Sequence, residues 1–141
     1  MITMNKLNAS HTSNATPPPT ISQPKLIPVI LKLKNSYGIW QGYLAHFPKA
    51  SRFTLGSKID EIFLHSIEYS FLASYSITKE KIILVDRCIA RVDLLKLLLQ
   101  LAWENKALDT KKYVHLSISI GEVGRMLGGW RKQLQNKTPA E

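Results

Sequence analysis

Tyr113-Val-His-Leu-Ser-Ile-Ser-Ile-Gly-Glu-Val-Gly-Arg-Met-Leu-Gly-Gly-Trp-Arg-Lys-Gln-Leu134 is the stretch whose periodicity decides the fold. Its apolar residues Tyr113, Leu116, Ile120, Val123, Leu127, Trp130 and Leu134 recur three and four positions apart, which places them on one stripe of an α-helix. Beside that stripe runs a line of small residues: Ser117, Gly121, Gly124 and Gly128. A glycine inside a helix costs about 0.5–1 kcal/mol relative to alanine. Several in register imply a compensating contact, the close approach of another backbone. This helix is expected to have a partner on each stripe.

Working outward, three earlier segments carry the same period. In the first, Ile30, Leu33, Tyr37, Trp40, Leu44 and Phe47 form a seam, with Pro28 suited to a first turn and Pro48 ending the helix near His46. Gly38 and Gly42 offer a second place for close packing. The link Phe47–Gly56 is short, and Ser51 is the expected N-cap of a second helix running to about Tyr75. That helix turns Leu55, Ile59, Ile62, Phe63, Ile67 and Phe71 inward and leaves Leu64 and Leu72 outside the stripe. Thr78 is the expected cap of a third helix, to about Asn105, with Val85, Cys88, Val92, Leu95, Leu99 and Ala102 as its core seam. A second line on it (Leu84, Arg87, Arg91, Leu94, Leu98, Leu101) is basic in its first half and apolar in its second. Asp109 caps the fourth helix, which fades near Gln135.

The pattern predicts an all-α protein, an antiparallel up-down-up-down four-helix bundle over residues 27–136. Residues 1–26 are rich in Ser, Thr, Asn and Pro and are expected to be a disordered tail, as are residues 137–141. A helix in a lone bundle needs one broad apolar stripe. The surplus on Leu94, Leu98 and Leu101, with the glycine line Gly121, Gly124 and Gly128, predicts an interface with further copies of the chain.

Charge narrows the function. Lys and Arg number 19 against 10 Asp and Glu, a net charge of +9, and most of the excess lies in the helical part. A basic folded domain suggests a polyanionic partner, usually nucleic acid. The candidate contacts are Arg52 and Lys58 near the start of helix two, Arg87, Arg91 and Lys96 on helix three, and Arg125, Arg131 and Lys132 on helix four. They fit non-specific binding in which cations displace counterions from phosphates.

Catalytic constellations are missing from the pattern. The Glu-x-x-His spacing of di-iron bundles does not occur, and the four histidines show no ligand spacing. Cys88 falls on an apolar seam, where an inert thiol is expected. Asp86 with Asp93 and Glu61 with Glu68 lie seven apart, as solvated or salt-bridged pairs do. The run Gly121–Gly129 does not match the phosphate-loop pattern and follows no strand. No catalytic residue, metal or cofactor is expected. The first 24 residues hold no apolar run of the kind a secretory leader has, and no uncharged stretch approaches the ~18 residues that span a bilayer. A cytoplasmic protein without membrane contact is expected.

At Phe47-Pro-Lys-Ala-Ser-Arg-Phe-Thr-Leu-Gly56 and Gly121-Glu-Val-Gly-Arg-Met-Leu-Gly-Gly-Trp130 the chain resembles the accessory variability determinant proteins of diversity-generating retroelements. Their wider family includes four-helix-bundle proteins encoded in intervening sequences of large ribosomal RNA genes. The resemblance spans residues 28–135. It implies a bundle that assembles into a basic homopentameric barrel and is not an enzyme. It also implies binding to the element's reverse transcriptase and to template RNA or an RNA/DNA hybrid, in support of adenine-directed, error-prone copying. Lys96 falls where the family carries a basic residue on its third helix, and Gln100 stands where a second is common. Arg125 is the motif arginine, for a subunit interface or RNA. The alternative is a self-assembling bundle of the ribosomal type with no polymerase partner.

Overall fold

Pro28 opens the first helix because its fixed φ suits a first turn and its missing N–H would have had no partner there. The computed structural model describes residues 24–137; of the stretches expected to be disordered, 1–26 and 137–141, residues 1–23 and 138–141 lie outside them, and Lys137 is the last residue of the fourth helix. α1 is Pro28–Leu44. α2 covers 49–74 and is built of a turn Lys49–Ser51, a π-helical segment Arg52–Gly56 and the α-helix Ser57–Ser74. α3 is Thr78–Glu104 and α4 is Thr110–Lys137. No strand occurs among the described residues. α1 packs on α2 and α4, α2 on α3, and α3 on α4, the closed ring of a four-helix bundle.

The interior follows the seams. α3 buries Val85, Cys88, Val92, Leu95, Leu99 and Ala102, and α4 buries Leu116, Ile120, Val123, Leu127 and Leu134. Trp40 is fully buried between Phe47, edge-on at 5.4 Å, and Phe63, stacked at 6.1 Å. Its indole N–H donates to Asp60 Oδ1 at 3.1 Å. Buried serines thin the helices where they approach. Ser66 and Ser70 return their hydroxyls to the carbonyls of Ile62 and Ser66, and Ser36 meets Ser119 across the α1–α4 contact.

Cys88 donates its thiol to the Ser66 carbonyl, and burial pushes its pKa up to about 12. At pH 8 the thiolate fraction is then on the order of a thousandfold below that of an exposed cysteine. A disulfide reagent is expected to label Cys88 only as fast as the bundle opens, and immediately in denaturant. Rapid labelling of the native protein would place the thiol elsewhere.

Two helix starts differ from expectation. Ser51 is not an N-cap: α2 begins at Lys49 behind Pro48, and Ser51 sits in helical conformation inside it with no capping bond. Proline, excluded from the end of α1, serves as the rigid entry to α2. Thr78 is itself the first residue of α3 and makes no capping bond, the extended Ile77 preceding it. Asp109 does cap α4, its Oδ1 accepting the Lys112 backbone N–H at 2.8 Å.

α3 stops in a Schellman arrangement. Ala107 N–H donates to the Ala102 carbonyl at 2.8 Å and Lys106 N–H to the Trp103 carbonyl at 3.0 Å, with Lys106 at φ 63°. Glycine is the usual residue there, and a left-handed lysine costs about 1–2 kcal/mol more.

The glycines do not receive the close backbone expected of them. A Cβ at Gly38, Gly42 or Gly128 would meet nothing within 4 Å, and at Gly121 only the Arg125 guanidinium at 3.8 Å. At Gly124 it would meet the Lys96 ammonium at 3.0 Å. Within one chain this stripe faces a lysine tip and open space, because α3 leans on the neighbouring apolar stripe instead.

Candidate nucleic-acid interface

The eight basic residues singled out in the sequence divide by what they touch. Arg52 is turned inward: its Nη2 donates to the carbonyls of Ala45 and Phe47, each at 3.2 Å. Those carbonyls lie at the frayed end of α1, so the guanidinium closes that end and joins it to α2. Lys58 lies 3.5 Å from Glu61 and Lys96 3.7 Å from Asp93, both exposed neighbours on one helix face. Such pairs are screened and contribute on the order of 0–1 kcal/mol, leaving the cations available to a stronger anion. Arg131 bridges α4 to α3 through Asp86 at 2.6 Å.

Arg87, Arg91, Arg125 and Lys132 make no ion pair among the described residues. Arg87 and Arg91 stand one turn apart on α3 and, with Tyr69, Ala90 and Leu94, line a shallow groove between α2 and α3. Two guanidiniums one turn apart, free of carboxylates and flanked by an aromatic ring, can hold a phosphate from two sides. Arg125 and Lys132 lie along the outer line of α4, separate from that groove. Near Arg125, Glu122 is held below the usual carboxylate range, first by its hydrogen bond to Lys32 and by that ammonium's charge, with Arg125 adding a smaller effect.

The apolar surplus is displaced from where the pattern put it. Leu94 and Leu98 are half-buried against the bundle's own core, because α2 covers that flank of α3. Leu101 is more open, and Ile83 and Leu97 more open still. On α4, Val114 and Ile118 are exposed beside Gly121. The seven-residue spacing of Ile83, Ala90 and Leu97 marked this outward line in the sequence, beside the one chosen. A depression lined by Lys96, Leu97, Gln100, Tyr113, Ser117 and Gly121 runs between α3 and α4.

Two histidines lie beside other rings, His115 by Tyr43 and His65 by Tyr69. Tyr43 Oη and His115 Nδ1 share a hydrogen bond at 2.6 Å, with the Lys112 ammonium 5.5 Å from the Tyr43 ring centroid. His65 lies 3.8 Å from Glu61. Among the described residues no three His, Cys, Asp or Glu side chains gather as metal ligands would, and no helix is long and apolar enough to cross a membrane.

The described residues thus form a ring of four amphipathic helices, with Arg87 and Arg91 free of ion pairs on its flank. The sequence model of the bAvd-like family matches residues 35–134, and the chain belongs to that family. The family is one of accessory, non-catalytic proteins. A comparison with curated proteins gives no match.

Proposed function

We propose that this protein is the accessory factor of a diversity-generating retroelement. In this reading it acts in the cytoplasm as a homopentamer, binds the element's reverse transcriptase, and holds template RNA or an RNA/DNA hybrid by charge during mutagenic copying. Family membership supports the accessory role. The observation that carries the nucleic-acid part is the set of cations without carboxylate partners, Arg87 and Arg91 foremost, in a chain of net charge +9. The exposed Ile83, Leu97, Val114 and Ile118, together with glycines that meet no neighbouring backbone, support assembly, since single-chain packing leaves these side chains bare.

The test is the salt dependence of RNA binding by the purified chain, alone and with the polymerase. If five or so phosphates are neutralised, the slope of log K against log salt is roughly −3 to −4, using about 0.7 per single-strand contact. Affinity is expected to fall accordingly from low to physiological salt. A flat salt response, or no binding in either setting, counts against the proposal. A reverse transcriptase gene beside this one, with a pair of near-identical repeats, would separate it from a polymerase-independent bundle of the ribosomal type.

A further inference from the structure

Four residues of the segment Phe47–Gly56 have a clear structural task. Phe47 is buried against Trp40, Pro48 starts α2, and Arg52 closes the end of α1. Gly56 is tucked so closely that a Cβ would meet Leu44 Cδ1 at 3.0 Å and Phe47 Cδ2 at 3.2 Å. Phe53 has none. It is 76% exposed, the most open large apolar side chain among the described residues. The π-helical turn Arg52–Gly56 carries it, and such turns often sit at functional sites.

At the same end of the bundle, α3 turns into α4 past a second open ring. Trp103 is 39% exposed, stacked by one face on Tyr113 at 5.3 Å, and its indole N–H donates to Thr110 Oγ1 at 3.1 Å. The ring is thus held in place. An open depression of about 630 Å³ lies beside it, bounded by Lys106, Leu108, Asp109 and Thr110. Lys49, Lys106, Lys111 and Lys112 belong to this end. Its carboxylates are engaged, Asp109 with the first turn of α4 and Glu104 with Gln100. Lys106 puts a lysine at a left-handed position that glycine would occupy without strain.

We propose that this end is a stacking platform for the bases of single-stranded RNA, with Phe53 and Trp103 as the stacking rings and the four lysines facing phosphates. The proposal rests on the RNA-binding function above and gives it a place. Exposed aromatics set among cations are what sequence-tolerant single-strand binding uses. Lysine is depleted from the centres of protein–protein contacts, which disfavours a protein occupant here.

The test titrates the full chain and its variants with a short single-stranded RNA and with the same strand as a duplex, following tryptophan fluorescence. Phe53→Ala and Trp103→Ala are each expected to weaken single-strand binding roughly 5- to 100-fold, with duplex binding and helical content unchanged. Trp103→Ala should also abolish the quenching that single-stranded RNA causes. Lys106→Gly is expected to raise the melting temperature while weakening RNA binding, opposite signs that a purely structural role would not give. If the wild type binds RNA with steep salt dependence and all three variants match it, the platform falls and the charge-based function stands. If the wild type binds no RNA, both fall. If Phe53→Ala lowers the assembly mass and leaves RNA affinity intact, the ring docks protein and the platform is wrong.

Discussion

Trp40→Ala is expected to lower stability by about 3–5 kcal/mol, or roughly 15–25 °C in melting temperature for a domain of this size. The indole is fully buried, lies between Phe47 and Phe63, and ties α1 to α2 through Asp60. Removing it opens a cavity beside Phe47 and Phe63 and takes a donor from that carboxylate, leaving Gln41 Nε2 at 2.7 Å. Trp103→Ala, at an exposed site, is expected to cost about 1–2 kcal/mol. Urea unfolding followed by circular dichroism makes the comparison. Equal losses at the two positions would mean that Trp40 does not anchor the core.

The second large effect concerns binding. Reversing both free arginines of the α2–α3 groove, Arg87→Glu with Arg91→Glu, is expected to weaken RNA binding by at least ~25-fold at 0.1 M salt. Each lost contact removes about 0.7 in the slope of log K against log salt, so two remove about 1.4. The salt slope itself should flatten by that amount. Both side chains project from α3 away from the buried seam of Val85, Cys88 and Val92, so the fold should persist. The matching reversal of Lys58, already beside Glu61, is expected to do much less. An unchanged affinity in the double variant would move the RNA contact off this groove.

The core was legible in the sequence because a helix writes its buried face as a three–four repeat, and nothing else in the chain competes with that signal. The α3 seam from Val85 to Ala102 came through whole for that reason. Helix starts were less legible. Ser51 and Thr78 are residue types that cap, yet Pro48 and Ile77 precede the helices, because backbone geometry at the turns outweighs side-chain preference. The π turn left no trace in the periodicity; Gly56 at its end fits beneath Leu44 and Phe47 across the α1–α2 link. Charge partners were equally hidden. Arg131 reaching Asp86, and Arg52 folding back onto carbonyls, depend on which faces meet. Periodicity names the faces without aligning them. The glycine line was visible, but a single chain does not supply the partner it implied.

A further copy of the chain is the expected partner of that line. Light scattering of the dilute full-length chain measures it directly. The account predicts a mass several times the 16.0 kDa of one chain, five times for the proposed ring. Gly124→Leu, whose Cβ would meet only the movable tip of Lys96 within its own chain, is expected to return the mass to that of one chain with the helices intact. A wild-type protein that scatters as a 16.0 kDa monomer would contradict it.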